Sequence, residues 1–199
     1  MPRTLLVFAA LAALFFYGGW VMQGESLDYE PPSVAPGPLS RQTISVAEAY
    51  RRLPHRQMSY RAGDKKIDAA ANGYLRQLFA LTDKAVVARV LTQSRMGRSQ
   101  AYDPTNYAAI MYQMNALSPP DDLRPAHNLI LNALNQQHQY FILWQQAKDP
   151  KWYSSGHSLV RGSHGKLIQA YEKLMALYPQ ATKNNKEAFF DHLCALDFI

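Results

Sequence analysis

The chain has 199 residues, of which 48% are hydrophobic, and 21 Lys and Arg against 15 Asp and Glu give a net charge of +6. This length provides one ordinary domain with a sizeable core once the N-terminal segments are set aside. The single cysteine, Cys194, excludes an internal disulfide, so packing alone must stabilise the domain.

The first segment of the chain is a predicted membrane span. Residues 4–22 are uncharged and almost wholly apolar, and at about 1.5 Å per helical residue they just cross a hydrocarbon core of roughly 30 Å. Arg3 precedes the segment and three acidic residues follow it, which favours a cytoplasmic N-terminus and export of the rest. We predict an uncleaved signal-anchor over residues 1–22 of a bacterial inner-membrane protein, with a periplasmic C-terminal domain. A cleaved signal peptide is the alternative.

A linker is predicted between this anchor and the exported domain. Residues 23–40 contain four prolines, which favour an extended polyproline geometry. The exported domain is predicted over residues 41–199, and its net charge is about +8, because only one basic and three acidic residues precede it. Such a domain is attracted to anionic lipid headgroups or to an acidic partner. We expect no nucleic-acid partner, because no nucleic-acid-binding motif accompanies the charge.

Capping signals and apolar spacing divide the domain into helices. Ser45 and Glu48 form a capping box that opens a short helix, which Pro54 closes. The basic stretch that follows is predicted as a loop or a short extended piece. From Asp64, the predicted N-cap, apolar residues recur at three-and-four spacing as far as Val90, which predicts a long amphipathic helix.

Two more N-terminal signals follow. Asp103 and Pro104 are typical of the N-cap and first position of a helix, here a shorter one. A second capping-box pattern, from Ser118 to Asp121, predicts the start of a helix that runs to about Lys148. The apolar residues of this helix cover more than one face, so we expect it at the centre of the domain.

The start of that central helix also carries a resemblance. Residues 118–127 read Ser-Pro-Pro-Asp-Asp-Leu-Arg-Pro-Ala-His. This stretch resembles the Pro-Pro-x-x-Leu-x-x-x-His helix start of many bacterial extracytoplasmic helical domains of unknown function. The resemblance covers about ten residues and implies no functional residues.

The last third of the domain predicts two further helices, at 158–178 and 184–197, after a loop at 149–157. Gly162 and Gly165 weaken the first turns of the earlier helix. The apolar neighbours of Cys194 predict a buried thiol that acts as a small hydrophobic side chain, with a reactive thiol or an intermolecular disulfide as the alternative. No alternating strand pattern is present. The predicted fold is all-α: a single N-terminal transmembrane helix plus an exported bundle of four main helices and one short helix.

Histidine is the residue type that suggests a ligand site. His127 and His138 lie on one face of the central helix, but 11 residues, or about 16 Å, separate them, which is too far to share one metal ion. Each could pair across helices with a residue such as His164 or His192, as in the metal and haem sites of bundles. Because spacings such as His-x-x-x-His are missing, these four are secondary metal candidates, hydrogen-bonded core histidines are the favoured interpretation, and no cofactor is predicted.

The sequence contains no catalytic motif such as Gly-x-Ser-x-Gly, so we predict that the protein is not an enzyme. Basic residues and two aromatic residues are better candidates for a functional site, as a binding surface. The predicted partner- or lipid-binding residues are Arg51, Arg52, Arg56, Arg61, Lys65, Lys66, Trp152 and Tyr153. The cations suit anionic headgroups or an acidic protein surface, and exposed Trp and Tyr are favoured interface anchors. A merely solvated basic face is the alternative.

These features predict a single-pass membrane-anchored accessory or scaffold protein. Its periplasmic helical bundle is expected to bind another envelope or membrane-complex component, with anionic lipid headgroups as a possible further contact. The alternative function is an extracytoplasmic sensor domain that binds a ligand or metal through histidines between helices.

Overall fold

The computed structural model describes residues 44–53, 57–98, 100–147 and 157–198, and all regular structure in these ranges is helical. The six helices are α1 (Val46–Arg51), α2 (Ala69–Met96), α3 (Thr105–Asn115), α4 (Arg124–Ala147), α5 (Ser158–Leu177) and α6 (Lys183–Leu196). The predicted all-α class is confirmed. All six correspond to helices predicted along the chain, but the predicted bundle of four main helices and one short helix is one helix too few, because α1 and α3 are both short.

The predicted membrane segment and the Pro-rich linker lie outside the described residues. Among the helices of the described ranges, none combines the length and the apolar character that crossing a bilayer requires. All six described helices lie within residues 41–199.

The first two helices begin at side-chain caps. Ser45 Oγ accepts the backbone N–H of Glu48 at 3.1 Å, so the predicted cap of α1 is confirmed. The long helix α2 is also confirmed, but its predicted start is wrong. Its N-cap is Asp68, whose carboxylate accepts the Ala71 N–H at 2.9 Å, because the carboxylate of Asp64 is bonded elsewhere in the fold.

The starts of α3 and α4 differ in how well the sequence predicts them. The predicted helix α3 is confirmed, but it begins at Thr105 with Pro104 as its N-cap, one residue later than predicted. Asp103 Oδ1 accepts the N–H of Thr105 at 3.0 Å. The predicted capping box from Ser118 is wrong, since α4 begins at Arg124 after a turn. There the Pro120 carbonyl accepts the Arg124 N–H at 3.1 Å, and the carboxylate of Asp121 pairs with the Arg124 guanidinium at 2.5 Å instead of capping.

Two helices organise the packing. The long helix α2 packs against α1, α3, α4 and α6, while α4 packs along α5 and also against α3 and α2. The expected central position of α4 is thus confirmed, although α2 shares it. One hydrophobic core runs through all six helices, and Phe198 closes it by packing on Tyr140 and Phe141 at ring distances of 5.3 and 5.4 Å.

The lone cysteine lies on α6. Cys194 is half-buried and forms no disulfide, so the predicted burial of the thiol is met only in part. Burial raises the pKa of this thiol, and Asp197 and Asp191 raise it further. A raised pKa disfavours the thiolate form that a reactive cysteine needs.

Two glycines of α5 are predicted to respond differently to alanine. A Cβ added at Gly162 would lie 2.8 Å from Gln136 Oε1 on α4, whereas one at Gly165 would meet nothing within 4 Å. Gly165→Ala is expected to raise the free energy of unfolding by about 0.5–1 kcal/mol through helix propensity. Gly162→Ala is expected to gain less, because the new Cβ must displace the end of the Gln136 side chain. Urea unfolding measures both, and an equal gain from the two substitutions would contradict this account of the α4–α5 contact.

Candidate functional site

Residues 57–68, called the basic loop below, join α1 to α2 and run beside α6. Asn185 of α6 holds the loop backbone at Arg61: its Oδ1 accepts the Arg61 N–H at 2.9 Å and its Nδ2 donates to the Arg61 carbonyl at 3.0 Å. Further along α6, Asp191 Oδ2 accepts the N–H of Met58 at 2.7 Å. Both α6 side chains are buried, so they act on the loop and not on solvent.

Asn72 of α2 holds the other side of the basic loop. Its Oδ1 accepts the Tyr60 hydroxyl at 2.7 Å and the Gly63 N–H at 3.2 Å. Its Nδ2 donates to the carbonyls of Asp64 and Ile67 at 2.9 and 2.7 Å. Gly63 has φ +90°, a left-handed conformation that glycine adopts without steric cost. The loop therefore has one defined backbone path.

Asp64 connects the basic loop to the start of α6. Its carboxylate accepts the N–H of Thr182 at 2.8 Å and that of Lys66 at 3.1 Å, and it accepts the Asn185 side-chain amide at 3.2 Å. Burial raises the pKa of Asp64, but these N–H donors outweigh burial and hold the pKa below its usual value. The carboxylate therefore stays ionised at neutral pH and keeps its bonds.

The basic side chains of this fixed loop point into solvent. Arg61, Lys65 and Lys66 are exposed, whereas Ile67 between them and α2 is buried. Within the described ranges, none of these three cations lies within 4.0 Å of a carboxylate. Because the backbone is preformed, binding costs less conformational entropy. The loop therefore presents its cations to an anionic group in a fixed arrangement.

The other predicted contact residues are placed differently. Arg51 and Arg52 are exposed on α1, but both guanidinium groups pair with the carboxylate of Glu48, at 3.2 and 3.7 Å. Three more of the predicted residues, Arg56, Trp152 and Tyr153, lie outside the described residues. The structure therefore divides the predicted basic set into a paired group on α1 and the exposed group on the loop.

A groove beside the basic loop was missed by sequence reasoning. It has a volume of about 500 Å³ and lies between α5, α6 and the loop, with Met58, Tyr171, Lys183, Lys186 and Phe190 among its lining residues. Phe190 keeps 47% of its surface exposed. The sequence does carry a signal for it, because a phenylalanine beside the apolar stripe of an amphipathic helix falls partly outside the core.

A second groove, of about 670 Å³, lies on the other side of Met58 and includes Tyr50 and Asp83 in its lining. There the Tyr50 hydroxyl donates to Asp83 Oδ1 at 2.6 Å, and His192 Nδ1 lies 3.0 Å from the same oxygen. The Tyr60 N–H donates to His192 Nε2 at 3.2 Å. The Nδ1 proton of His192 therefore faces Asp83.

This arrangement bears on catalysis. A Ser-His-Asp hydrolase uses Nε2 of the histidine to take the proton of its nucleophile. In this fold Nε2 of His192 is already the acceptor for the Tyr60 backbone N–H. In this conformation Nε2 of His192 is occupied, so the Asp83–His192 pair fastens the basic loop to α6.

The four histidines considered as metal candidates have separate partners. The pairs are His127 with the Tyr74 hydroxyl at 2.7 Å, His138 with the Tyr102 hydroxyl at 2.6 Å, His164 with the Asp197 carboxylate, and His192 with Tyr50 and Asp83. In the part of the chain that the structure describes, no three His, Cys, Asp or Glu residues come together as metal ligands. Each histidine completes a local hydrogen bond instead.

His127 makes a testable contribution to pH-dependent stability. Burial lowers its pKa to about 4, with a smaller effect from Arg124, against about 6.5 in an unfolded chain. Its contribution is complete above pH 6.5 and is lost as the pH falls from 6.5 to about 4, because the unfolded state then binds the proton first. In urea unfolding, the free energy of unfolding of the wild type is expected to fall by about 2 kcal/mol more than that of His127→Gln between pH 7 and pH 4.5. An equal fall in both proteins would contradict this.

Taken together, the described surface offers exposed cations on a fixed loop and an apolar groove next to them. Comparison of the chain with protein-family models, curated proteins and solved structures finds no match. What the site does must therefore be inferred from its own residues.

Proposed function

We propose that this chain is a single-pass, membrane-anchored accessory protein of the bacterial inner membrane, and that its periplasmic helical domain binds another envelope component through the basic loop. One observation carries the proposal. Side chains of α2 and α6 fix the loop backbone, while Arg61, Lys65 and Lys66 remain exposed.

The burial of the polar side chains that hold the basic loop supports a binding role. Burying polar side chains is unfavourable unless their hydrogen bonds are satisfied. Asn72, Asn185 and Asp191 are all buried, and all three bond to the backbone of the basic loop. Their hydrogen bonds therefore stabilise one loop conformation at the surface, which is useful when that loop must fit a partner.

The predicted anchor and linker place this surface close to a membrane. A polyproline-like linker over residues 23–40 reaches roughly 50 Å at about 3.1 Å per residue. Within that distance the domain meets membrane proteins and the anionic headgroups of its own bilayer, and the headgroups add electrostatic attraction. Another membrane or periplasmic protein is the proposed partner.

Neutralising the loop tests this function. The variant Arg61→Ser/Lys65→Ser/Lys66→Ser removes three exposed cations, and the matched control Arg98→Ser/Arg161→Ser/Lys173→Ser removes three exposed cations elsewhere. Full-length proteins are isolated in mild detergent and moved into nanodiscs of neutral lipid. The loop variant is expected to retain about tenfold less co-isolated partner than wild type, while the control retains it.

Two results would contradict the proposal. One is that the wild-type protein is recovered alone from mild detergent. The other is that the loop variant and the control variant retain the same amount of partner. Equal thermal unfolding of the two variants, checked by circular dichroism, ensures that a loss reflects binding.

A further inference from the structure

We propose that the groove between α5 and α6 is the docking site for an acidic amphipathic segment of a protein partner. The segment places apolar side chains against Phe190 and acidic side chains against Lys183 and Lys186. This inference rests on the proposed function and deepens it by naming the chemistry of the partner.

The wall of the groove is apolar and exposed. Phe190 of α6 is 47% exposed, and its ring meets the Tyr171 ring of α5 edge-on at 5.6 Å. Met58 of the basic loop completes the wall. A partly exposed aromatic ring held between two fixed helices is the kind of surface that anchors a partner's apolar side chain.

Two lysines and two carboxylates lie at the rim of the groove. Glu187 pairs with Lys183 at 3.7 Å through an exposed contact, and the buried Asp191 accepts the Met58 N–H. The basic loop adds a further cation nearby, because Asn185, between Lys183 and Lys186 in sequence, bonds the backbone of Arg61. The net positive charge at this end therefore comes from Lys186 and Arg61, which makes the rim basic. The complement of an apolar wall with a basic rim is an amphipathic segment with acidic flanks.

The shape of the surface favours a protein segment over a bilayer. A volume of about 500 Å³ has room for several side chains, and a concave groove between helices fits a protruding helix. A bilayer instead presents a plane of headgroups, which suits a flat basic face. The groove and the loop together therefore select a convex, acidic and partly apolar partner.

A synthetic peptide tests this chemistry directly. The probe is a fluorescent amphipathic helix of about 18 residues with a leucine face and a glutamate face. The control peptide carries serine in place of every leucine and has the same charge. Binding to the full-length protein in neutral-lipid nanodiscs is measured by anisotropy. The leucine peptide is expected to bind about tenfold more tightly than the serine peptide, because only it fills the groove. Equal affinities would overturn the proposal.

Variants of the groove locate the binding. Phe190→Ser and Lys186→Glu are each expected to weaken binding of the leucine peptide about tenfold. The control Leu143→Ser removes an apolar side chain on α4 that is 39% exposed and should leave the affinity unchanged. Lys186→Glu keeps every core side chain, so it tests the groove even if Phe190→Ser is unstable. Peptide binding that survives Lys186→Glu would overturn the inference, as would variants that weaken binding to anionic phosphatidylglycerol vesicles but not to the peptide.

The same variants separate this inference from the proposed function. One outcome is that the Arg61/Lys65/Lys66 serine variant loses the co-isolated partner while Lys186→Glu and Phe190→Ser retain it fully. This outcome would overturn the groove as the docking site and leave the proposed function standing. Loss of the partner in all three variants supports both. Retention in all three would contradict both.

Discussion

Replacing Gln137 with alanine is expected to lower the free energy of unfolding by about 3 kcal/mol. Gln137 is fully buried on α4. Its Oε1 accepts the Tyr107 hydroxyl of α3 at 3.2 Å, and its Nε2 donates to Ser163 Oγ of α5 at 3.1 Å and to the Leu196 carbonyl of α6 at 2.8 Å. The alanine variant leaves three buried polar groups without this partner and opens a cavity where four helices meet.

The neighbouring glutamine is a matched control for this prediction. Gln136 is 8% exposed, and its Oε1 has no hydrogen-bond partner within the described part of the chain. Gln136→Ala is therefore expected to cost less than about 1 kcal/mol. Urea unfolding of both variants measures the difference. A Gln137→Ala loss no larger than that of Gln136→Ala would show that Gln137 does not tie the helices together.

Asn185→Ala is expected to have the second large effect, a loss of about 2–3 kcal/mol together with a loss of partner binding. It removes three hydrogen bonds to the basic loop, two to the Arg61 backbone and one to the Asp64 carboxylate. Every cation of the basic loop remains. If the fixed path of the loop matters for binding, the retained charges alone will not preserve it.

Hydrogen exchange of the loop amides shows whether the basic loop loses its fixed backbone conformation in Asn185→Ala. In Asn185→Ala the protected amides at residues 57–68, Arg61 among them, are expected to exchange faster, because their opening no longer breaks the bonds to α6. Asn184→Ala is the control. Asn184 donates to the Ser59 carbonyl at 3.2 Å and to Asn185 Oδ1 at 3.5 Å. Neither bond holds a loop N–H, so the loss of Asn184 should change loop exchange little. Equal exchange in both variants would contradict the role given to Asn185.

Helix existence is predictable from this sequence because it depends on local spacing, whereas several helix starts, that of α2 among them, are not. Asp64 and Asp68 both precede the apolar stripe of α2, and either satisfies the local rule for an N-cap. The difference arises from the Thr182 N–H, which lies 118 residues further along the chain and bonds the Asp64 carboxylate. Local pattern carries no information about such a contact.

The candidate site divides in the same way. Charged residues can be identified directly from a sequence, so the exposed cations of the basic loop were predicted. The residues that fix the loop were not, because isolated polar side chains on helices are ordinarily solvent-facing. A signal for two of them exists: Asn185 and His192 fall four residues before and three residues after Phe189, on the buried stripe of α6. Polar residues in a core register indicate a buried hydrogen-bond network.

Site-specific photo-crosslinking in living cells tests the central claim, that the basic loop is the surface that binds an envelope component. A photoreactive phenylalanine replaces Ser59, which is exposed on the loop, or Asn128, which is exposed on α4. Irradiation is expected to give a discrete protein adduct from position 59 and none from position 128. That adduct should disappear when Arg61, Lys65 and Lys66 are changed to serine. No adduct from position 59, or an adduct that survives loss of the three cations, would contradict the account.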